Sequence, residues 1–458
     1  MFRFGRSFPT RVVSSANETL RLKCPRLMCS GDPDPEQPVP DEQKVTKRRK
    51  RRAACRPVLD CFDQQYSHEL GHLWTSARKV LLSPHSWQYG VMLNRFTILT
   101  DVKHILTSHG FTTFVPKTDA SVLPCVTPTV TPTSQQPVDH ESSLPPSSSV
   151  WPAKSDGPHL RPDPTSQFVC QDSQWEHLSP SCLPSSSLQC YIHPSAFWFP
   201  SQAHWPGHLK QYYLLNAASL LPVLALNVRD GEKVLDLCSA PGGKALAIMQ
   251  TATPGLLCCN EPDPHRRDWL AKTLESFLPQ PLNNRVIVSN QDGRSFGLNK
   301  TGEYDKVLVD APCSNDRSWL YSANGQQGEE RLKERVKLPG LQAQLLRSAL
   351  RAVRPGGVVV YSTCTLSSSE NQAVVEAVLN TCPEAEPEDL WEEFVVPFSN
   401  HFTFSPAHRD HGRQARGESC QFQSGAVPFY HHKHGILVVP QPGKTWGPMF
   451  LSRIRRTC

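Results

Sequence analysis

The chain has 458 residues, enough for at least one large hydrophobic core, and a modest formal net charge of +6. Its 42 prolines, many of them clustered with serine, predict long stretches that form no packed core. Sixteen cysteines without an apolar leader segment or a C-x-x-C motif do not indicate a secreted disulfide framework, a zinc ribbon or a redox pair. No run approaches the roughly 20 apolar residues of a membrane span, so we expect a soluble protein with no membrane partner.

Residues 1–52 are predicted to be a disordered, basic N-terminus. The first 30 residues carry six arginines and lysines against a single acid, Glu18, which is the composition of a mitochondrial transit peptide. The basic run 47–52 is also typical of a nuclear localisation signal or of an arm that binds phosphate. We therefore expect a mitochondrial matrix protein, with the nucleus as the alternative.

Residues 53–116 are predicted to form a small helical region, because apolar residues recur with a helical period from Val58 to Leu73. Within it, His68-Glu-Leu-Gly-His72 matches H-E-x-x-H, in which two histidines on one helical face bind zinc. Gly71 weakens the helix and no third ligand is spaced nearby. We therefore expect no metal at this motif.

Residues 117–190 are rich in serine, proline and threonine and lack an apolar period, which predicts a disordered insertion. Residues 191–458 then alternate apolar strands with helices, which predicts an α/β domain with a doubly wound, mostly parallel sheet. Its first helix is predicted from Gln211 to Leu226, with a kink at Pro222.

The segment from Val234 to Lys244 organises this domain. A buried strand at 234–237 leads into a turn of small residues with two adjacent glycines, and helix formers follow from Ala245. A strand, a glycine-bearing turn and a helix let backbone amides approach a nucleotide-like ligand closely. Because the turn lacks G-x-G-x-x-G, this stretch alone is also compatible with a purely structural turn.

Two later strands end in cysteines. The strand at 307–310 leads into Pro312-Cys313, and the strand at 357–364 ends on Cys364. In an open parallel sheet, ligands and chemistry lie beyond the carboxyl ends of the strands, and neighbouring strands are about 5 Å apart. If these two strands are neighbours, the two cysteines lie over one pocket beside the glycine turn, which is a catalytic arrangement.

Together the motifs Cys238-Ser-Ala-Pro-Gly-Gly-Lys244, Asp310-Ala-Pro-Cys313 and Ser362-Thr-Cys-Thr365 resemble those of the Sun (NSUN) family of RNA cytosine-5 methyltransferases. The resemblance implies a class I S-adenosylmethionine-dependent methyltransferase, with a Rossmann-like, mostly parallel seven-stranded sheet and a small helical N-terminal region. Within the family the likeness is greatest to the branch that acts on mitochondrial methionine tRNA. This implies a cytosine of its anticodon loop as methyl acceptor, and a monomeric enzyme.

The resemblance also assigns a cofactor site. Glu261 would accept hydrogen bonds from the ribose hydroxyls, and Arg266 belongs to the same site. Asp292 would bind the adenine amino group, and Asp310 would form the pocket floor beside the methyl group. The methionine part of the cofactor would lie on the turn residues Cys238, Ser239, Ala240, Pro241, Gly242, Gly243 and Lys244.

For the reaction, the resemblance implies that Cys364 is the nucleophile. Addition of its thiolate to C6 of cytosine makes C5 nucleophilic toward the methyl sulfonium. Cys313 would then assist product release as base or acid, Asp310 would hydrogen-bond or protonate N3, and Lys244 would lower the thiol pKa or steady the base. A base must leave its stack to enter such a pocket, so we expect a single-stranded or loop cytosine.

Several alternatives remain open at this point. DNA cytosine-5 methyltransferases attack with the cysteine of a Pro-Cys motif, which would make Cys313 the nucleophile, although the motif around Cys364 argues against it. Other functions are the same chemistry on mitochondrial rRNA, a non-catalytic RNA-binding assembly factor, and a metallopeptidase at 68–72. The candidate phosphate contacts are Arg317, the basic residues of a predicted loop at 331–337, and Arg453, Arg455 and Arg456.

Overall fold

The structure, a computed structural model, describes residues 53–114, 188–282, 284–405 and 434–458. The predicted transit peptide, the basic run 47–52 and nearly all of the predicted insertion lie outside these ranges. The described residues form two sheets, and the smaller one is built from segments on both sides of 115–187.

The smaller sheet is antiparallel. The helices and strands of this part of the chain are α1 (Arg56–Leu70), α2 (His72–Leu81), β1 (Gly90–Leu93), α3 (Thr100–Ser108), β2 (Thr112–Thr113), β3 (Cys190–Ile192) and β4 (Tyr212–Leu215). The strand order is β2-β3-β1-β4, with Val91 opposite both Tyr191 and Leu214. The helical period predicted the helices but not these strands, because the partners of β1 lie far along the chain. The predicted domain boundary at residue 191 would divide the strands of this sheet between two domains.

The predicted helix from Gln211 to Leu226 is wrong in its first half. Residues 212–215 are β4, and a short 3₁₀ turn separates this strand from α4 (Leu221–Leu226). The Asn216 side chain accepts a hydrogen bond from the Ala218 amide at the start of that turn. Pro222 lies in the first turn of α4, where its missing N–H is tolerated, so it begins the helix rather than kinking it.

The larger sheet carries the remaining strands: β5 (Lys233–Asp236), β6 (Leu256–Asn260), β7 (Val286–Ser289), β8 (Tyr304–Asp310), β9 (Val353–Thr363), β10 (Ala385–Glu388), β11 (Ile436–Val438) and β12 (Met449–Arg456). Seven of them lie side by side in the order β10-β12-β9-β8-β5-β6-β7, and β11 pairs with β12 outside this line. Strands β5 to β9 are parallel, as predicted for most of the sheet, and β11 and β12 pair antiparallel. The antiparallel strand β12 lies inside the sheet, between β9 and β10, rather than at its edge.

Helices cover both faces of this sheet. They are α5 (Gly243–Thr251), α6 (Pro264–Glu275), α7 (Gly293–Asn299), α8 (Asp316–Trp319), α9 (Gly325–Arg335), α10 (Leu338–Ala352), α11 (Gln372–Leu379) and α12 (Val396–Phe398). Alternate strand residues enter two cores: Val234 and Leu308 pack with α4, α5 and α6, whereas Leu235 and Val307 pack with α1, α10 and α11. The N-terminal helices therefore share a core with the catalytic sheet.

The H-E-x-x-H motif does not lie on a single helix. Gly71, with a φ of 54°, separates α1 from α2, so that His68 lies in the last turn of one helix and His72 begins the next. The Glu69 carboxylate instead accepts hydrogen bonds from the Gln65 side chain and, at 3.0 Å, from the Ser368 amide. The motif thus connects α1 to the segment that follows Cys364. Among the described residues, no helix is long and apolar enough to cross a membrane.

Candidate active site

The glycine turn joins β5 to α5 at the carboxyl end of the sheet. Gly242 has a φ of 107°, and a Cβ there would lie 3.1 Å from a methyl carbon of Leu270. A Cβ on Gly243 would lie 3.0 Å from the ring of Tyr213. A side chain at Gly242 would be strained by the positive φ, and at either position Leu270 or Tyr213 would have to move, so the backbone of the turn lies close to α6 and β4.

Asp236, the last residue of β5, is a polar group that the sequence analysis missed. Its side chain is fully buried, and within the described residues neither carboxylate oxygen has a partner at hydrogen-bond distance. Burial raises the pKa of this carboxyl to about 7, although the nearby Ser239 hydroxyl lowers it in part. An acid at the end of an apolar strand, directly before the turn, was the sequence signal for it.

Glu261 follows β6 and is buried beside the turn. Arg266 Nη2 lies 3.2 Å from Glu261 Oε2 and also donates a 3.0 Å hydrogen bond to the Ala240 carbonyl oxygen. Burial raises the pKa of Glu261, and the Arg266 charge offsets only part of this rise. The structure thus brings Glu261, Arg266 and the glycine turn into direct contact.

Asp292 lies beyond β7 as the N-cap of α7, and its side chain is 49% exposed. Its carboxylate accepts hydrogen bonds from the Arg294 amide and guanidinium, with 2.6 Å between Asp292 Oδ2 and Arg294 Nη2. These bonds lower the pKa of Asp292. Because Arg294 occupies its carboxylate, Asp292 differs from Asp236, whose carboxylate has no such partner.

Asp310 and Lys244 form an ion pair between the end of β8 and the first turn of α5. Lys244 Nζ lies 2.7 Å from Asp310 Oδ2, and Ser362 Oγ donates to Asp310 Oδ1 at 2.8 Å. Burial lowers the pKa of the Lys244 ammonium, but the charge and hydrogen bond of Asp310 outweigh it, and the pKa is raised. Lys244 therefore stays charged beside the pocket at neutral pH.

The two cysteines predicted to share a pocket are adjacent. Strands β8 and β9 are parallel neighbours with Asp310 opposite Ser362, and the Sγ atoms of Cys313 and Cys364 lie 3.2 Å apart. Both are free thiols. The hydrogen bond to Cys364, burial and the negative charges of Cys364 and Glu370 raise the pKa of Cys313 well above its usual range. Cys313 thus stays a thiol at neutral pH. Either sulfur can be the donor in their contact, and the Cys364 amide donates to Cys313 Sγ at 3.3 Å.

This arrangement supplies the parts of a covalent mechanism at one end of the sheet. Two thiols 3.2 Å apart and a carboxylate paired with an ammonium lie next to a turn suited to a nucleotide-like ligand. The two thiols meet because the strands that carry them are adjacent and parallel.

A family model described as "16S rRNA methyltransferase RsmB/F" matches residues 223–412. A relative from Danio rerio, named "tRNA (cytosine(34)-C(5))-methyltransferase, mitochondrial", is 47% identical, and the match covers 90% of each chain. The chain belongs to the Sun (RsmB/F) family of RNA cytosine-5 methyltransferases. A further Sun-family relative, "5-cytosine rRNA methyltransferase NSUN4" from Xenopus tropicalis, is 34% identical over 88% of this chain and 90% of its own.

Among solved structures, the crystal structure of PH0851 has a TM-score of 0.50 and 16% sequence identity, and the match covers 87% of this chain and 66% of that one. At this identity the likeness concerns the fold alone, and it agrees with the α/β methyltransferase architecture described above. Sun-family methyltransferases take their methyl group from S-adenosylmethionine.

Two of the basic residues predicted to contact RNA phosphate in this Sun-family enzyme are buried. The segment predicted to be a loop at 331–337 is largely α9, and Arg331 and Arg335 are only 5% and 8% exposed. Arg335 Nη2 donates to Tyr66 Oη at 2.8 Å. The sequence pattern did not show that Arg331 and Arg335 face the core. Lys333 and Lys337, the other two basic residues of this segment, are exposed.

The other predicted phosphate contacts also have partners within the chain. Arg317 donates to the carbonyl oxygens of Thr445 and Gly447 and stacks on Trp87. In the C-terminal strand β12, Arg453 and Arg455 both pair with Glu388, and Arg456 donates to carbonyl oxygens at the end of α10 and the start of β9. These arginines hold strands and loops together.

Proposed function

We propose that this Sun-family enzyme methylates C5 of the cytosine at position 34, in the anticodon loop of mitochondrial methionine tRNA. The relatives from Danio rerio and Mus musculus named as mitochondrial tRNA cytosine-34 methyltransferases are 47% and 40% identical to the chain. The vertebrate relatives named as rRNA methyltransferases reach 33% to 34%. The observation that carries the chemistry is the 3.2 Å pair of sulfurs beside Asp310 and Lys244.

Residues at the turn fit S-adenosylmethionine. The two glycines leave a cradle without side chains. Glu261, fixed by Arg266, would accept hydrogen bonds from the ribose hydroxyls. The exposed Asp292 would reach the adenine amino group only after its bonds to Arg294 rearrange. When bound, the cofactor supplies an electrophilic methyl group.

The chain's own residues account for each proton and electron pair. The Cys364 thiolate adds to C6, forming an S–C6 bond, and the electron pair of the C5–C6 double bond moves through C4 toward N3. Asp310 stabilises that charge by passing to N3 a proton that the Lys244 ammonium, 2.7 Å from Asp310 Oδ2, supplies and takes back after methyl transfer. After C5 is methylated, the Cys313 thiol releases its proton to solvent, the one proton that the reaction liberates, and its thiolate takes the C5 proton as the S–C6 bond breaks and Cys364 leaves as a thiolate.

For the rest of the chain, we propose a monomeric enzyme of the mitochondrial matrix. The relatives at 47% and 40% identity are named as mitochondrial, and residues 1–30 have the composition of a transit peptide. We propose that residues 1–52 are an import segment and that 117–190 form an insertion. The methyltransferase domain at 191–458 would then work with the region at 53–116, with which it shares the small sheet.

Replacing Glu261 by glutamine is expected to weaken S-adenosylmethionine binding about 10-fold to 100-fold, because one charged acceptor is lost and Arg266 keeps an unpaired charge. Calorimetric titration of the purified variant measures this dissociation constant directly. Glu275→Gln, an exposed substitution on α6, is the matched control and should leave the constant unchanged. An unaltered affinity in Glu261→Gln would remove this residue from the cofactor site.

The substrate is tested by transfer of labelled methyl groups to three RNAs. These are the mitochondrial methionine tRNA transcript, the same transcript with uridine in place of cytosine 34, and a mitochondrial rRNA fragment. We expect labelling of the first alone. Labelling of the rRNA fragment instead would favour the rRNA alternative and leave the chemistry intact, and no transfer to any RNA would favour the non-catalytic assembly factor.

A further inference from the structure

A buried polar cluster lies next to the two cysteines but contains none of the residues used in the reaction. Its members come from α1, the loop after β8 with the first residue of α8, α9, α10 and the segment after β9, and each is less than 9% exposed. They are Tyr66, Ser314, Asp316, Arg335, Gln342, Thr365 and Glu370. We refer to these seven residues as the buried cluster.

Glu370 holds the chain on both sides of Cys313. Its Oε2 atom accepts hydrogen bonds from the Ser314 amide at 2.9 Å and from Gln342 Nε2 at 3.1 Å, and Oε1 lies 2.6 Å from Ser314 Oγ. Gln342 Nε2 also donates to the Pro312 carbonyl oxygen at 2.8 Å. The fully buried Glu370 carboxylate thus fixes the residue after Cys313 directly and the residue before it through Gln342.

The segment after Cys364 belongs to the same cluster but has further supports. Thr365 Oγ1 lies 2.9 Å from both Ser314 Oγ and Asp316 Oδ1. In addition, β9 leads directly into Cys364, and Asn371 Nδ2 donates to the Thr365 carbonyl oxygen at 3.0 Å. Loss of the Glu370 contacts should therefore release Cys313 more than Cys364.

Arg335 supplies the positive charge that this buried carboxylate needs. Its Nε atom lies 3.4 Å from Glu370 Oε1, and its Nη2 atom donates to the hydroxyl of Tyr66, on α1. Burial lowers the pKa of Arg335, but its neighbours Tyr66, Asp316 and Glu370 raise it by more, so that the guanidinium stays charged. Removing one member of a buried ion pair leaves the other uncompensated.

We propose that Glu370, charge-balanced by Arg335, is a positioning residue that holds the Cys313 sulfur against Cys364 for the release of the methylated base. This inference rests on the roles proposed above for the two cysteines. If Glu370 served stability alone, its loss would reduce the amount of active enzyme without changing the fate of each adduct. The ratio of trapped protein–RNA adduct to methylated RNA separates these cases, because it does not depend on how much enzyme is active.

Glu370→Gln is the informative variant. With its NH₂ group at the Oε2 position the variant loses the acceptor of the Ser314 amide and of Gln342 Nε2, and at the Oε1 position it turns a donor toward Arg335 Nε. In either orientation Arg335 loses its charged partner. The experiment uses the full chain with labelled S-adenosylmethionine and methionine tRNA, and measures methylated RNA and denaturant-resistant adduct. We expect the adduct-to-product ratio to rise about 10-fold to 100-fold, since a displacement of about 1 Å in a reacting group costs up to about 100-fold in rate.

Glu376→Gln, an exposed substitution on α11, is the matched control and should keep the wild-type ratio. If Glu370→Gln does not fold, Tyr66→Phe removes one hydroxyl from the buried cluster while keeping the ring, and a smaller rise in the same ratio is expected. Activity and adduct that fall together in the folded variant would overturn the inference. A Cys313→Ala protein that traps no adduct would instead contradict the proposed roles of the cysteines.

Discussion

Cys364→Ala is expected to abolish methyl transfer, with a loss of at least about 10³-fold in turnover. Without its thiolate no S–C6 bond forms, and C5 of cytosine remains a poor nucleophile. The effect should lie in turnover rather than in S-adenosylmethionine affinity, because the glycine turn, Glu261 and Arg266 are left intact. Labelled methyl transfer to methionine tRNA measures turnover, and calorimetric titration measures the affinity for S-adenosylmethionine.

Cys313→Ala is expected to behave differently from Cys364→Ala. It keeps the nucleophile but removes the sulfur that lies 3.2 Å away, so attack proceeds and release stalls. Denaturing electrophoresis should then show a covalent protein–RNA adduct. Cys382→Ala, at a half-buried free thiol outside the site, controls for thiol removal as such. Adduct formation by Cys364→Ala, with none in Cys313→Ala, would reverse the two roles and favour the DNA-methyltransferase arrangement.

Asp310→Asn is expected to reduce turnover by about 10² to 10³-fold, the magnitude typical of a lost group that stabilises developing charge. The variant also leaves Lys244 without its 2.7 Å partner, in a position where burial already disfavours the ammonium. Because these groups act on the reacting base, the rate of a single turnover with saturating S-adenosylmethionine and tRNA should decrease by the same factor.

The matched control for this variant is Asp305→Asn. Asp305 lies on the same strand, β8, but near its opposite end, where it pairs with Arg354. We expect this variant to keep nearly full turnover. Wild-type turnover in Asp310→Asn would show that the carboxylate does not act on the base, and a decrease of equal size in both variants would point to general damage to β8.

Local sequence patterns were sufficient for the catalytic sheet. The five parallel strands, the glycine turn and the two cysteine-bearing strand ends follow from apolar runs and turn residues, which act over a few neighbours in the chain. The prediction that Cys313 and Cys364 meet followed from the general placement of ligands at the carboxyl ends of parallel strands. The pairing of β8 with β9 agrees with it.

Other features depended on partners distant in the chain. Tyr212–Leu215 has a pattern compatible with a helix. It forms a strand because it pairs with β1, which lies on the other side of the predicted insertion in sequence. Arg335 looked like a surface charge until folding placed it beside Glu370 and Tyr66.

The sequence by itself thus determined the fold class, the family and the residues at the strand ends, since these depend on local periodicity and on contiguous motifs. Only the tertiary structure decided which charged groups are buried and what they bind. A carboxylate or guanidinium is stable in the interior only with a partner, and that partner is set by the packing of several elements rather than by the residues beside it. The buried cluster around Cys313 is the clearest case, because it joins five separate parts of the chain.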